Sequence, residues 1–179
     1  DVQNPTPTGS DGRDPGSSLD DVDTHAYMSM ESPWQITDTA ASAGSYSYHS
    51  GNDDEPYVDN ACYAITTPPL TLTAGAALSF QARYDIEYQW DGAVMEISTD
   101  GGTSWNDLPP DGGYPSAFTQ TDDPPINTCG YPASHGAFNG VTTAASNANP
   151  GNGTVAAIFK PFTADLSAYV GQTVQIRWR

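Results

Sequence analysis

Residues 78–105 read LSFQARYDIEYQWDGAVMEISTDGGTSW, and this stretch decides the fold class. Apolar and polar residues alternate over 78–87, the pattern of a strand with one buried and one solvated face. The alternation resumes over 93–97 and ends at the turn dipeptide Asp100-Gly101. An Asp-Gly pair between two alternating segments is a strong hairpin signal, so Trp105 is predicted to lie on a returning strand.

The same period of two recurs after Ser45 in short segments that are bounded by turn residues. No segment has the length and the 3.6-residue period of an amphipathic helix. We therefore predict an all-β domain built as an antiparallel β-sandwich. Beyond the hairpin, its strands are expected at residues 46–49, 61–65, 155–159 and 173–178.

The chain divides into an extended N-terminal segment, residues 1–27, and a sandwich domain, residues 28–179. Pro, Gly, Ser and Asp dominate residues 1–27, and no apolar periodicity appears there. We expect this segment, called the arm below, to have no core of its own. The chain begins at Asp1 rather than Met, which favours a processed chain or an excised fragment.

The composition excludes several function classes. Acidic residues number 22 against 5 basic ones, which gives a net charge of −17. So acidic a surface repels nucleic-acid phosphates and anionic headgroups, and no apolar stretch is long enough to insert into a membrane. Val, Leu, Ile and Phe together are scarce, but 10 Tyr, 4 Trp and 5 Phe can supply a core.

The two cysteines, Cys62 and Cys129, lie in segments rich in Gly, Pro and Asn. This setting favours a disulfide formed in an oxidising compartment over a zinc site, which needs four ligands. Two independent buried thiols are the alternative. A Cys62–Cys129 bond would pin residues 108–154, a connection too long for an ordinary hairpin loop.

The order of motifs along the chain resembles that of the MAM-like jelly-roll accessory domains of secreted bacterial proteins. These modules occur in immune-inhibitor-A type metallopeptidases and in the cleaved-adhesin regions of gingipain-type proteases. The resemblance spans about residues 34–179 and rests on YSYHSG (46–51), YAITTPPL (63–70), LSF (78–80), DGAVMEISTDGGTSW (91–105) and DLSAYVGQTVQIRW (165–178). It implies a secreted or cell-surface jelly-roll module that binds a protein or a glycan, or that positions an attached enzyme.

Members of that family continue past the strand equivalent to residues 173–178 into a closing strand, which this sequence lacks. Either the missing strand belongs to further sequence of the same polypeptide, or another chain supplies it. In the second case the arm of a neighbouring copy could add to the open sheet edge. Repeated head to tail, such self-association would build an extracellular filament.

Acidic residues form two groups that could bind calcium. One loop contains Asp54 and Asp59, and Glu87 and Asp91 frame the turn before the hairpin. Ca²⁺ prefers six to eight oxygen ligands, which two acidic loops can supply together. The resemblance implies a calcium site at the matching positions, so these four residues are the predicted ligands; a solvated acidic face is the alternative.

Recognisable catalytic motifs are absent from the sequence, and the three histidines, His25, His49 and His135, lie far apart. A glycosidase pair drawn from Glu87, Asp91 and Glu96 is disfavoured because one strand and its turn rarely form both walls of a cleft. We therefore predict a module without catalytic activity.

A carbohydrate-binding module is the remaining alternative. Trp90, Tyr114 and Tyr131 could stack on sugar rings if they are exposed, and they would otherwise belong to the core or its rim. Asn152-Gly153-Thr154 matches the N-glycosylation sequon but also reads as a glycine-rich turn.

Overall fold

The computed structural model describes residues 2–3, 17–18, 28–51, 61–119, 127–147 and 155–179. Within these ranges the protein is all-β, with one short 3₁₀ turn at Ser167–Tyr169 and no α-helix. The strands are β1 (Val2–Gln3), β2 (Ser17–Ser18), β3 (Ser29–Met30), β4 (Trp34–Thr37), β5 (Ser47–Ser50), β6 (Ile65–Thr66), β7 (Leu70–Thr71), β8 (Ala77–Ala82), β9 (Asp85–Ile86), β10 (Met95–Ser98), β11 (Asn106–Asp107), β12 (Ser116–Ala117), β13 (Gly136–Ala137), β14 (Gly140–Val141), β15 (Lys160–Asp165) and β16 (Thr173–Trp178).

Two antiparallel sheets form the body of the domain. The first has the order β15-β8-β1-β2, and the second has the order β11-β10-β16-β6-β3, with β7 also paired to β16. Three two-stranded pairs, β4–β5, β9–β14 and β12–β13, lie outside these sheets. All the strand pairs described are antiparallel, as the sequence predicts.

The core lies between the two sheets. Leu78 on the first sheet and Ile97 and Ile176 on the second are fully buried in one cluster. Phe80 on β8 bridges the sheets, because its ring centroid lies 5.2 Å from that of Trp178 on β16. Burial of each aliphatic or aromatic side chain stabilises the fold by roughly 1.5–3 kcal/mol. The apolar faces of the alternating strands therefore pack against each other, and the two sheets form a sandwich.

The predicted strands agree with the structure where alternation and turn residues coincide. The strand predicted at 173–178 is β16, and the predicted hairpin is β10 paired with β11. Four predictions were wrong in position. The alternating segment 78–87 is divided between β8 and β9, which belong to different sheets, and Trp105 immediately precedes β11 rather than lying on it. Residues 61–65 contribute only the start of β6, and residues 155–159 form no strand. The strand lies instead at β15, whose register sets the buried Phe162 opposite the half-buried Phe80 and stacks the two rings with centroids 5.6 Å apart.

The Asp100 turn that joins β10 to β11 is fixed by its own side chains. The Asp100 carboxylate accepts hydrogen bonds from the Ser104 hydroxyl at 2.6 Å, from the Ser104 amide at 2.9 Å and from the Ser98 hydroxyl at 2.8 Å. These bonds lower the pKa of Asp100 to about 2, with the Ser104 bonds as the main cause. Gly101 and Gly102 both adopt positive φ, which explains the Gly-Gly pair at this turn.

The long connection after Leu108 folds back over the outer face of the second sheet. Val94, Phe118 and Ala137 form a small second core there. The predicted disulfide Cys62–Cys129 is present, with Cα atoms 5.4 Å apart, and it ties this connection to the segment that leads into β6. The bond closes a loop with a sequence separation of 67 residues.

The arm contributes two short strands to the first sheet. β1 pairs with β8 through Val2 opposite Leu78 and Gln3 opposite Ala77, and β2 pairs with the other side of β1. These four residues are the part of the predicted 1–27 arm that the structure describes. Among the described residues, no helix is long and apolar enough to cross a membrane.

Candidate functional site

The four predicted calcium ligands divide between described and undescribed parts of the chain. Asp54 and Asp59 lie outside the described residues, as does the sequon residue Asn152. Glu87 and Asp91 stand at the two ends of the turn that connects β9 to the bridge residues before β10. The structure thus brings two of the four together within one turn.

Backbone hydrogen bonds fix this turn. The Glu87 carbonyl accepts the amides of Trp90 at 3.4 Å and of Asp91 at 3.2 Å. Gln89 adopts a φ of 70°, which is uncommon for a residue with a side chain. Its carbonyl accepts the Thr119 amide at 3.0 Å, so the turn is held to the folded-back connection.

Gly92 lets the turn approach the segment around β13. A Cβ atom at Gly92 would lie 2.9 Å from the Cβ of Ala137 and 3.0 Å from the Phe118 ring. Next to it, Ala93 and Phe138 exchange two backbone hydrogen bonds of 3.0 and 2.9 Å. The Asp91-Gly92 dipeptide therefore serves close backbone packing as well as the turn itself.

Asn139 occupies the register position that faces the Glu87–Asp91 turn. It is one residue beyond the Ala93–Phe138 bridge and one residue before the Gly140–Ile86 pair. Its side chain is 0% exposed, and neither its Oδ1 nor its Nδ2 atom has a hydrogen-bond partner among the described residues. A buried polar group without a partner destabilises a fold by about 1–3 kcal/mol, so Asn139, with both polar atoms of its amide unpartnered, is a candidate position for a ligand.

The donor set around this turn suits a hard cation. An asparagine Oδ1 and the carboxylates of Glu87 and Asp91 are oxygen donors of the kind that Ca²⁺ takes in loops. The described residues contain no group of three or more His, Cys, Asp or Glu side chains that could hold a metal. Any calcium site at the turn therefore depends on Asn139 and on further oxygens such as those predicted in the 54–59 loop.

No local feature of the sequence marks Asn139 as a ligand. In the sequence it precedes Gly140, and Asn-Gly is a common turn signal that would place the side chain in solvent. Gly140 does adopt a φ of 74°, as a turn glycine does. The burial of Asn139 arises from the packing of β9, β14 and the 92–93 segment, which is not encoded locally.

A second polar cluster lies on the outer face of the second sheet. The Nε of Arg177 donates to the Glu96 carboxylate at 2.6 Å, and these two residues are cross-strand partners in β16 and β10. The Arg177 guanidinium lies 4.1 Å from the Trp105 ring centroid. Glu96 is therefore neutralised by a cation that is itself covered by an aromatic ring.

The three aromatic residues considered for sugar stacking have different environments. Tyr114 is half-buried; its hydroxyl donates a hydrogen bond to the Asp107 carboxylate at 2.7 Å and accepts one from the Met95 amide at 3.0 Å. Tyr131 is half-buried and stacks on Phe118, and burial raises the pKa of its hydroxyl, with the charge of Glu96 adding to the effect. Trp90, 48% exposed, is the most exposed of these three residues.

The histidines do not form a common site in the described structure. His135 packs against Tyr131 with ring centroids 4.9 Å apart, and its Nε2 lies 3.8 Å from the Asp107 carboxylate. His49 lies on β5, in a strand pair apart from the two main sheets, and His25 is outside the described residues.

Comparison of the chain with models of protein families, with curated proteins and with solved structures finds no match.

Proposed function

We propose that this protein is a non-catalytic, calcium-stabilised extracellular β-sandwich module, which mediates adhesion or positions an attached secreted enzyme. The observation that carries the proposal is Asn139, a fully buried amide without a described partner, whose backbone lies in register beside the acidic Glu87–Asp91 turn. A cation at this turn would satisfy the amide oxygen, and the carboxylates of Glu87 and Asp91 are the proposed ligands from the turn itself. Asp54 and Asp59 are the proposed additional ligands.

The extracellular assignment is supported by two further features. A disulfide that closes a long loop persists in oxidising compartments and is rare in reducing ones. A net charge of −17 keeps the domain soluble but generates self-repulsion, which bound Ca²⁺ reduces. The resemblance to MAM-like accessory domains supplies the role in adhesion or enzyme positioning.

Glycan binding is a second candidate because Trp90 lies within the same turn. Trp90 is exposed and lies between Glu87 and Asp91 in the sequence. Sugar-binding modules stack a sugar ring on an exposed aromatic side chain and bind the sugar hydroxyls through acidic side chains or a calcium ion. A glycan array that compares the wild-type protein with Trp90→Ala tests this candidate. Glycan binding that Trp90→Ala retains would show that the sugar contacts other residues. If the wild-type protein binds no glycan on the array, this candidate is wrong and a protein is the remaining partner.

Calcium binding is tested by thermal unfolding of the wild-type protein in EDTA and in 10 mM CaCl₂, with ionic strength matched by NaCl. Weak extracellular calcium sites have dissociation constants of about 10⁻⁴–10⁻³ M, so 10 mM is at least about tenfold above them. Tenfold excess over Kd adds about 1.4 kcal/mol to the free energy of unfolding. Isothermal titration calorimetry should show a single saturable site.

Charge removal at the turn provides the matched comparison. Asp91→Asn and Glu87→Gln should each reduce the calcium-dependent gain. Asp38→Asn removes one exposed acidic charge from the segment that follows β4 and should leave the gain unchanged. Equal gains in all four proteins would mean that calcium merely screens the negative surface, and the proposal would be wrong.

A further inference from the structure

The outer face of the second sheet carries two arginines on one strand, called the arginine pair below. Arg177 lies on β16, and Arg179 continues the same ladder through two backbone hydrogen bonds with Val94, of 2.9 and 2.8 Å. Residues two apart on a strand lie on the same face, at a spacing of about 6.5–7 Å. The chain has 5 basic residues against 22 acidic ones, so two of its few cations are concentrated at this position.

The Arg177 guanidinium is held in place but only partly engaged. Its Nε donates to the Glu96 carboxylate at 2.6 Å, and its Cζ lies 4.1 Å from the ring centroid of Trp105. Among the described residues, neither Nη atom forms a hydrogen bond, and neither is one of the buried polar atoms that lack a partner. The two Nη groups therefore reach solvent as an oriented pair of donors.

Arg179 has no acidic partner within the described ranges, because none of their carboxylates forms an ion pair with its guanidinium. The guanidinium lies instead 5.9 Å from the ring centroid of Tyr131. Acidic residues outnumber basic ones more than fourfold in this chain, so an arginine without an acidic neighbour is a cation left available for a ligand.

The open groups of the arginine pair suit carboxylates. A guanidinium binds a carboxylate through two parallel N–H···O bonds, which require a planar edge with free donors. An extended peptide places alternate side chains about 6.5–7 Å apart on one side, which is also the spacing of Arg177 and Arg179 along the strand. Two acidic residues separated by one residue therefore match the pair.

The aromatic rings beside the pair favour a peptide over an acidic sugar. A sugar ring needs an aromatic face on which to stack. Here Trp105 is covered by the Arg177 guanidinium, and Tyr131 packs against Phe118 and His135 with ring centroids 6.1 and 4.9 Å apart. Recognition at this position therefore depends on the guanidinium groups rather than on the rings.

We propose that the arginine pair is an interaction surface for an extended acidic segment of a partner protein, in which two Asp or Glu residues are separated by one residue. Each guanidinium donates to one carboxylate of the segment. Glu96 and Trp105 orient Arg177 before binding, which reduces the conformational entropy lost on association. This inference goes beyond the proposed function and does not rest on calcium, so it is tested in EDTA.

Titration of a synthetic peptide into ¹⁵N-labelled protein, followed by ¹H–¹⁵N NMR, tests the proposal. The probe is the blocked peptide Ser-Gly-Glu-Ser-Glu-Gly-Ser, and the control peptide has Gln in place of both Glu residues. The solution contains EDTA and 0.15 M NaCl, because the net charge of −17 repels an acidic peptide and a screening length of about 8 Å limits this repulsion. We expect saturable shifts at the amides of Arg177 and Arg179 and at the Trp105 indole, with the acidic peptide only.

Arg179→Gln and Arg83→Gln are the matched variants, since each removes one positive charge. Arg83 is exposed and lies between β8 and β9. Hydrogen bonds to charged groups are strong enough that Arg179→Gln should raise the Kd about tenfold, whereas Arg83→Gln should change it less than about twofold. Arg177→Lys keeps the charge but loses the paired Nη groups, and it should also raise the Kd about tenfold.

Three results would overturn the proposal. The first is the absence of a saturable shift with the acidic peptide. The second is an equal change of Kd in Arg179→Gln and Arg83→Gln, which would show a general effect of charge. The third is a lower Kd for glucuronate than for the peptide at the same signals, which would assign the arginine pair to an acidic sugar.

Discussion

Replacing Asn139 by leucine separates a cation-binding role of this residue from a purely structural one. Leucine has a similar volume but no polar atoms, so the substitution removes a buried amide whose Oδ1 and Nδ2 have no described partners. Without a cation, the loss of an unsatisfied polar group should stabilise the fold by about 1–3 kcal/mol. With calcium present, the same substitution should remove a ligand.

These magnitudes convert to measurable shifts in melting temperature. For a domain of this size, 1 kcal/mol corresponds to about 2–4 °C. The wild-type protein should gain about 3–6 °C on transfer from EDTA to 10 mM Ca²⁺, which corresponds to the 1.4 kcal/mol of tenfold excess over Kd. Asn139→Leu should melt higher than the wild-type protein in EDTA and should gain much less on addition of calcium.

Differential scanning calorimetry of both proteins under both conditions gives the four values needed. Asn106→Leu, at an exposed position of β11, is the control for the change in side-chain polarity and should retain the full calcium gain. A full wild-type calcium gain in Asn139→Leu would exclude Asn139 as a calcium ligand. Strong destabilisation of the variant in EDTA would also exclude it, because Asn139 would then be satisfied within the protein itself.

Three further substitutions probe the features that hold the site in place. Cys129→Ser opens the disulfide loop and should lower the free energy of unfolding by about 4 kcal/mol in the chain-entropy model, as measured by urea denaturation of the wild-type and variant proteins. Gly92→Ala places a Cβ 2.9 Å from that of Ala137 and should destabilise by about 1–3 kcal/mol, whereas an unchanged urea midpoint would show that the turn can shift. The pKa of Asp100 is lowered from 3.8 to about 2 by its hydrogen bonds, so its contribution to stability is present above pH 4 and is lost as the pH falls towards 2. Asp100→Asn should therefore lose less stability than the wild-type protein between pH 4 and pH 2, and parallel melting curves over that range would contradict the assignment.

The all-β character of the chain was predictable from the sequence because its signals are local. The alternation at residues 173–178 and the turn at Asp100 depend on neighbouring residues only, and the structure confirms both. The antiparallel sandwich follows from the same alternation, since each strand must bury one apolar face. The Cys62–Cys129 disulfide was predictable because the sequence contains only these two cysteines.

Strand limits were less predictable where sequence signals were ambiguous. Residues 155–159 carry apolar residues at suitable spacing, but Val155 and Ile158 remain about 41% exposed. β15 begins at Lys160 instead, because the pairing with β8 that stacks Phe162 on Phe80 requires this register. A favourable ring contact between distant strands decided a boundary that local patterns could not.

The candidate site was determined only in part by the sequence, which identified Glu87 and Asp91 because acidic residues around a turn are a local feature. The tertiary structure alone placed Asn139 in register beside that turn and paired Glu96 with Arg177, a residue 81 positions away. It also left Trp90 exposed and made Tyr114 and Tyr131 half-buried. The physical reason is that periodicity and turn propensity act over a few residues, whereas the burial of a particular polar group depends on which distant strands become neighbours.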